Sequence, residues 1–233
     1  MPNSDLYRIG GLSAIAGAIL TAIGNALFPR ASDPTDLSQV VQAMASYGPF
    51  VVLSWITALG LLLILGGLAV LALSLRDSPG EGWARLAFYT AIVATALWVV
   101  VFAVNVGASW LADAATRDAS LTPVAKAMVF QVNGLFAAAV LVNWLDVFLF
   151  GVALLRTDRY PLWLAWTAVV LGGGTFLFAG LPLALSGVTA VVDNVVFPIL
   201  ATLTLVWLLV LGVFLWRRAG LTTSTSPSTS SAR

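Results

Sequence analysis

The sequence predicts an all-α fold: a polytopic membrane protein built as a six-transmembrane-helix bundle with both termini in the cytoplasm. Two observations predict it. Of the 233 residues, 60% are hydrophobic and only 9% are charged, against about 25% charged in an ordinary soluble domain. That is too little charge to coat a water-facing surface, so the apolar surplus has to face lipid. Six apolar stretches are also long enough to cross a hydrocarbon core about 30 Å thick, which takes about 20 helical residues. Barrel strands are about half that length and alternate in polarity; these stretches do neither.

The first stretch is Ile9–Phe28. It is too long for the apolar core of a signal peptide, and Asn25-Ala26-Leu27-Phe28-Pro29 is a poor cleavage site, so it reads as a retained helix following a short cytoplasmic segment, 1–8. Between it and the second stretch, Phe50–Leu75, lies an amphipathic segment over about 34–47. Asp33 suits its N-cap and Pro34 its first turn. Leu37, Val40, Val41 and Met44 then recur at helical spacing. Two readings of this segment stand: a loop helix seated on the bundle, or a lid or docking surface at the outer interface.

The third stretch, Leu86–Leu111, follows the turn Asp77-Ser78-Pro79-Gly80-Glu81-Gly82. The fourth, Ala127–Leu155, is preceded by Thr122-Pro123, a cap-plus-proline start that extends the helix beyond the membrane. The fifth, Leu162–Leu185, enters through Pro161, placed in its first turn, and carries Gly172-Gly173-Gly174 and Pro182. Those residues suit either close helix contact or a broken helix of the transporter kind. The sixth is Val195–Trp216, with Asp193 and Asn194 as N-cap candidates, and 219–233 is a Ser/Thr-rich tail predicted to be disordered and cytoplasmic. Gly67 before Arg76, Gly151 before Arg156 and Gly212 before Arg217 hint weakly at three related hairpins.

Orientation follows from basic residues in the loops. Arg8, Arg76, Arg85, Arg156, Arg159, Arg217, Arg218 and Arg233 fall on the side of the termini, against Arg30, Arg117 and Lys126 on the other. That asymmetry predicts cytoplasmic termini in a multi-pass protein of the cell membrane.

Several chemistries are excluded at the level of composition. The chain has no cysteine and no histidine, which removes thiol nucleophiles, disulfides and imidazole ligands for metal or haem. A net charge of +1 points to no nucleic-acid partner. No nucleophile elbow, zinc motif, P-loop or Rossmann glycine pattern occurs, and Asp146 and Asp193 are on different helices at different depths. The expectation is a protein that is not an enzyme and holds no cofactor or metal.

Asp146 is the most informative residue. It lies nine positions before Leu155, about 14 Å along the helix and near the midplane. An aspartate there costs about 2.5–3.5 kcal/mol on insertion scales and must face protein or water. Asn143 shares its face, three residues earlier. Further polar residues gather in the outer half: Asn25, Asn105, Gln131, Asn133, Asp193 and Asn194. If they converge they line a vestibule leading to Asn143 and Asp146. If they do not, each is a cap or a tie between helices. Of the tryptophans, Trp83, Trp110, Trp163 and Trp216 suit the interfacial belts, while Trp55, Trp98, Trp144 and Trp207 are placed deeper, in packing.

Ser54-Trp55-Ile56-Thr57, the run Gly66-Gly67-Leu68-Ala69-Val70-Leu71, and Arg159-Tyr160-Pro161-Leu162-Trp163-Leu164 give the chain its likeness. Over most of its length it resembles a loose group of uncharacterised small prokaryotic integral membrane proteins with six helices. A histidine commonly follows the second-helix tryptophan in that group and is missing here. The resemblance implies a fold, no activity and no site residues. Two functions fit the residues: a small transporter or permease-like protein with a polar path ending at Asn143 and Asp146, or a non-catalytic accessory or scaffold protein that binds a membrane-protein partner or forms a homo-oligomer.

Overall fold

The computed structural model describes residues 4–46, 48–187, 189 and 191–223, with the side chains of Asp193 and of 221–223 excepted. Among these the chain is helical, without strands: α1 (Ser4–Leu27), α2 (Leu37–Ser46), α3 (Phe50–Ser74), α4 (Glu81–Arg117), α5 (Thr122–Leu155), α6 (Leu162–Thr175), α7 (Leu181–Ser186) and α8 (Phe197–Thr223). Six helical spans are long and apolar enough to cross a membrane, α6 and α7 together making one of them. Much of the tail, 224–233, lies outside the described residues.

The spans form a closed ring in chain order: α1 against α3, α3 against α4, α4 against α5, α5 against α6, α6 against α8, and α8 back against α1. Outward faces carry Ile9, Leu59, Val93, Val170, Phe178 and Val206 at 41–81% exposure like other large apolar residues. That is a surface for hydrocarbon. Small residues set the ring's tightest contacts, as expected where packing replaces the hydrophobic effect. A Cβ at Gly17 would lie 2.5 Å from the Gly60 carbonyl oxygen, and one at Gly172 would lie 2.7 Å from the Phe148 Cα. The glycines of the suspected repeat also serve contact: Gly67 meets Ala14, Gly151 meets Ala168 and Val169, and Gly212 meets Ile15.

Where both termini lie, the bundle is solid. Leu71, Leu75, Phe150, Leu154, Leu211 and Leu215 are fully buried in one cluster. Loops tie down its face. Arg159 donates to the Ser74 and Arg76 carbonyl oxygens (2.6 and 2.8 Å), filling acceptors left open at the end of α3. The Ser74 hydroxyl and Tyr160 phenol are 2.6 Å apart, and the Arg218 guanidinium stacks 4.1 Å over the Tyr160 ring. Burial pushes the Tyr160 phenol above its ordinary value, partly offset by Arg218.

On the opposite side the helices outrun the bilayer. α4 has 37 residues, about 55 Å long at 1.5 Å per residue, and α5 begins five residues before the sequence-predicted start. The expectation of protrusion named α5 alone; α4 protrudes with it, carrying an Asp113–Arg117 ion pair at 2.7 Å. α2 seats Val41 and Met44 against Ala108, Ala112, Ala125 and Val129 of this extension, so it is a helix resting on the bundle.

The caps differ from those expected. Asp36, not Asp33, caps α2: its carboxylate accepts from the Ser38 N–H at 2.8 Å and its carbonyl from the Val40 N–H. Asp33 instead closes a turn onto Thr35. Asp118, not Thr122, accepts at the start of the α4–α5 connection, from the Ser120 N–H at 2.9 Å. Pro161 precedes its helix in extended conformation rather than joining the first turn. Trp55 is 50% exposed on the perimeter, whereas Trp98, Trp144 and Trp207 are buried.

Two single π-turns, Phe176–Gly180 and Val192–Val196, occupy the non-terminal half. Each comes just before a proline. Leu181 donates to the Phe176 carbonyl ahead of Pro182, and Phe197 to the Val192 carbonyl ahead of Pro198. A proline offers no N–H and its ring crowds the carbonyl four residues back. Widening the preceding turn by one residue relieves that conflict.

A polar chamber and its aromatic neck

Inside the ring, at mid-depth and bordered by Ile64, Leu68, Val147, Leu205 and Leu208 of the tight core, the helices enclose a cavity of about 80 Å³, room for several waters at about 10–15 Å³ each. Each wall follows from helical spacing. α1 supplies Thr21 and Asn25, four apart; α3 supplies Thr57; α4 supplies Thr95, Trp98 and Phe102; α5 supplies Asn143, Trp144 and Asp146; α8 supplies Phe197, Ala201 and Thr204. Gly172 lets α6 press on the back of α5 beside Trp144 and Phe148, which supports α5 from outside the chamber.

Asp146 is 4% exposed and faces this chamber. No lysine or arginine is among the chamber's lining residues. Asn143 sits beside it and accepts from the Trp98 indole N–H at 3.1 Å. Trp144 donates to the Thr204 hydroxyl at 3.3 Å, which donates on to the Leu200 carbonyl at 2.9 Å. The Thr57 hydroxyl is turned back onto the Leu53 carbonyl at 2.8 Å. Thr21 is different: its hydroxyl is buried with no protein partner.

A second cavity of about 170 Å³ continues toward the face opposite the termini, lined by Asn25, Phe28, Arg30, Asn105 and Phe136 among others. Asn25, Trp98, Phe102 and Phe197 line both spaces and form the neck between them. Arg30 stands at the mouth and donates to the Asn25 carbonyl at 3.3 Å.

The eight residues singled out in the sequence therefore divide. Asn143 and Asp146 share the chamber, Asn25 the neck, and Asn105 the vestibule. Gln131 is exposed on α5 and is absent from the described lining of both spaces. Asn133 lines a separate groove between α5 and α7. Asn194 is half-buried within the second π-turn and is likewise absent from the described lining; the hydroxyl that accepts from the Val192 N–H there belongs to Thr189. The Asp193 side chain lies outside the described residues. Helical geometry explains the split: Asn133 lies about 140° around α5 from Asp146, while Gln131, about 60° off, stands about 22 Å farther toward the outer end.

Sequence reasoning missed Thr21, Thr57, Thr95, Thr204 and the ring-bearing neck. One signal was available. Four helices each place one threonine in phase with another chamber residue: Thr21 with Asn25, Thr57 with Leu61, Thr95 with Trp98, Thr204 with Ala201. Buried threonines usually bond their own helix, which is why this pattern alone does not announce a cavity.

A carboxylate facing a largely apolar, water-sized space is stabilised by whatever positive species reaches it, whether a proton, a hydrated ion or an organic cation. Among the described residues no group of three or more acidic, histidine or cysteine side chains is arranged to hold a metal ion. Fold and site together define a class: a multi-pass helical membrane architecture whose internal chamber holds one buried aspartate and adjoins a second cavity toward one face. No family model, curated protein or solved structure matches the chain.

Proposed function

We propose that this chain is a small, non-enzymatic transporter of the cytoplasmic membrane, coupled to protons or to another cation. Its termini lie in the cytoplasm, and its path runs from the Asn105 and Asn25 mouth to Asn143 and Asp146. The excess of arginines on the terminal face supports the orientation, which makes the mouth external.

One observation carries the reading: the buried Asp146 carboxylate faces a chamber that has no basic residue in its described lining and shares Asn25, Trp98, Phe102 and Phe197 with the cavity at the mouth. A purely structural aspartate is expected to spend its acceptors on a neighbouring helix. This one borders free space, in a chamber that Thr21 also lines.

Proteoliposomes loaded with a pH-sensitive dye test it. With a proton gradient imposed and a panel of solutes outside, wild-type protein is expected to dissipate the gradient for at least one solute. Asp146→Asn should fold and lose that flux. Equal behaviour of the two proteins, or no flux in either, overturns the reading. A stoichiometric membrane-protein partner in native mass spectrometry, together with absent flux, would favour the accessory or scaffold role.

A further inference from the structure

The geometry points to a small organic monocation as the ligand of this chamber: a protonated amine whose ammonium group meets Asp146 and whose apolar body lies in the aromatic neck. This deepens the transporter reading and rests on the chamber being the working site.

Between mouth and carboxylate runs an unbroken succession of rings. Phe28 meets Phe102 at 6.3 Å between centroids, Phe102 meets Trp98 at 5.8 Å, and Trp98 meets Phe136 at 5.6 Å. Phe136 meets Phe197 at 5.1 Å, and Phe197 meets Trp144 at 5.5 Å. Ring faces attract ammonium groups, the more so where water is excluded. Both indoles are held in place by their edge N–H bonds to Asn143 and Thr204, so the rings are oriented before any ligand arrives.

The competing ligands fit less well. A hard metal ion takes about six or more oxygen ligands, whereas the chamber offers one carboxylate among threonines, asparagines and mostly apolar walls. An anion would face Asp146 with no basic residue to receive it. A dication would be only half-neutralised by one carboxylate, and Arg30 at the mouth repels it more than a monocation. A proton by itself needs no such room, whereas the chamber of about 80 Å³ adjoins a vestibule of about 170 Å³.

The test compares phenethylammonium with its neutral near-isostere 2-phenylethanol, by calorimetric titration of the full chain in zwitterionic nanodiscs. The ammonium ion is expected to bind saturably and at least tenfold more tightly than the alcohol, without competition from sodium chloride at matched ionic strength. Asp146→Asn should erase the preference, and Phe102→Leu should weaken ammonium binding about two- to fivefold. Equal affinity for the two ligands, or no saturable ammonium binding, overturns the assignment. The ligand pair is compared on wild-type protein, so the result stands even where a variant does not fold. Absent ammonium binding with persistent Asp146-dependent proton flux removes only the ligand class; absence of both removes the transporter reading as well.

Discussion

The two halves of this bundle are made from the same apolar alphabet and come out differently. In the half that holds the termini, Phe150, Leu154, Leu211 and Leu215 are fully buried in one cluster, and the face is closed by Arg159, Ser74 and Tyr160. The other half holds both π-turns, both helix-interrupting prolines and the aromatic neck, with the chamber between it and the tight core. Close glycine contacts occur in both halves, at Gly67 and Gly212 in one and at Gly17, Gly24 and Gly60 in the other, so the contrast lies in the larger side chains. Rigidity at one end lets the hollow end be hollow, because a chamber needs walls that do not collapse into it.

Substitutions can break that contrast. Phe150→Ala in the solid half should cost about 3–5 kcal/mol, read from reversible unfolding in mixed micelles. Phe197→Ala, at the edge of existing space, should cost less than half as much. Equal losses would mean that the two halves are packed alike.

Removing the Arg159 side chain should be milder. It leaves the Ser74 and Arg76 carbonyls to water at an exposed face, so Arg159→Ala is expected to lower stability by about 1 kcal/mol. Faster hydrogen exchange should be confined to the last turn of α3 and the 75–80 turn. Exchange spread through the chamber helices would show that the face governs the hollow half too.

Thr21→Val sharpens the comparison from the other side. The change removes a buried hydroxyl without a protein partner, so stability should stay within about 0.5 kcal/mol or rise slightly, while transport falls. A loss above about 1 kcal/mol would reveal a partner for that hydroxyl in the resting chamber.

The smallest effect concerns pH at α2, outside the bundle core. The Asp36 carboxylate is held below its ordinary 3.8, chiefly by the Ser38 backbone N–H. A depressed carboxylate stabilises the folded form above its unfolded value, and the contribution is lost as pH falls through the folded one. Between pH 5 and pH 3, amide exchange over Val40–Met44 should therefore quicken while that of α3 and α8 is unchanged. Asp36→Asn, which keeps a capping acceptor, should flatten this response.

The sequence by itself determined the six spans, their alternating direction and the arginine asymmetry, because length, hydropathy and charge are properties of single segments and the bilayer reads them one at a time. It also marked Asp146 and Asn143 by a rule equally local: a carboxylate at mid-depth cannot face lipid. Tertiary structure decided which helix stands beside which, and with it everything that depends on two helices at once. The ring order gathered Thr21, Thr57, Thr95 and Thr204 around Asp146, left Gln131 exposed and set Asn133 in another groove. The rotation of α5 about its axis made that choice, and rotation is fixed by contacts such as Gly172 on Phe148, which no single segment contains.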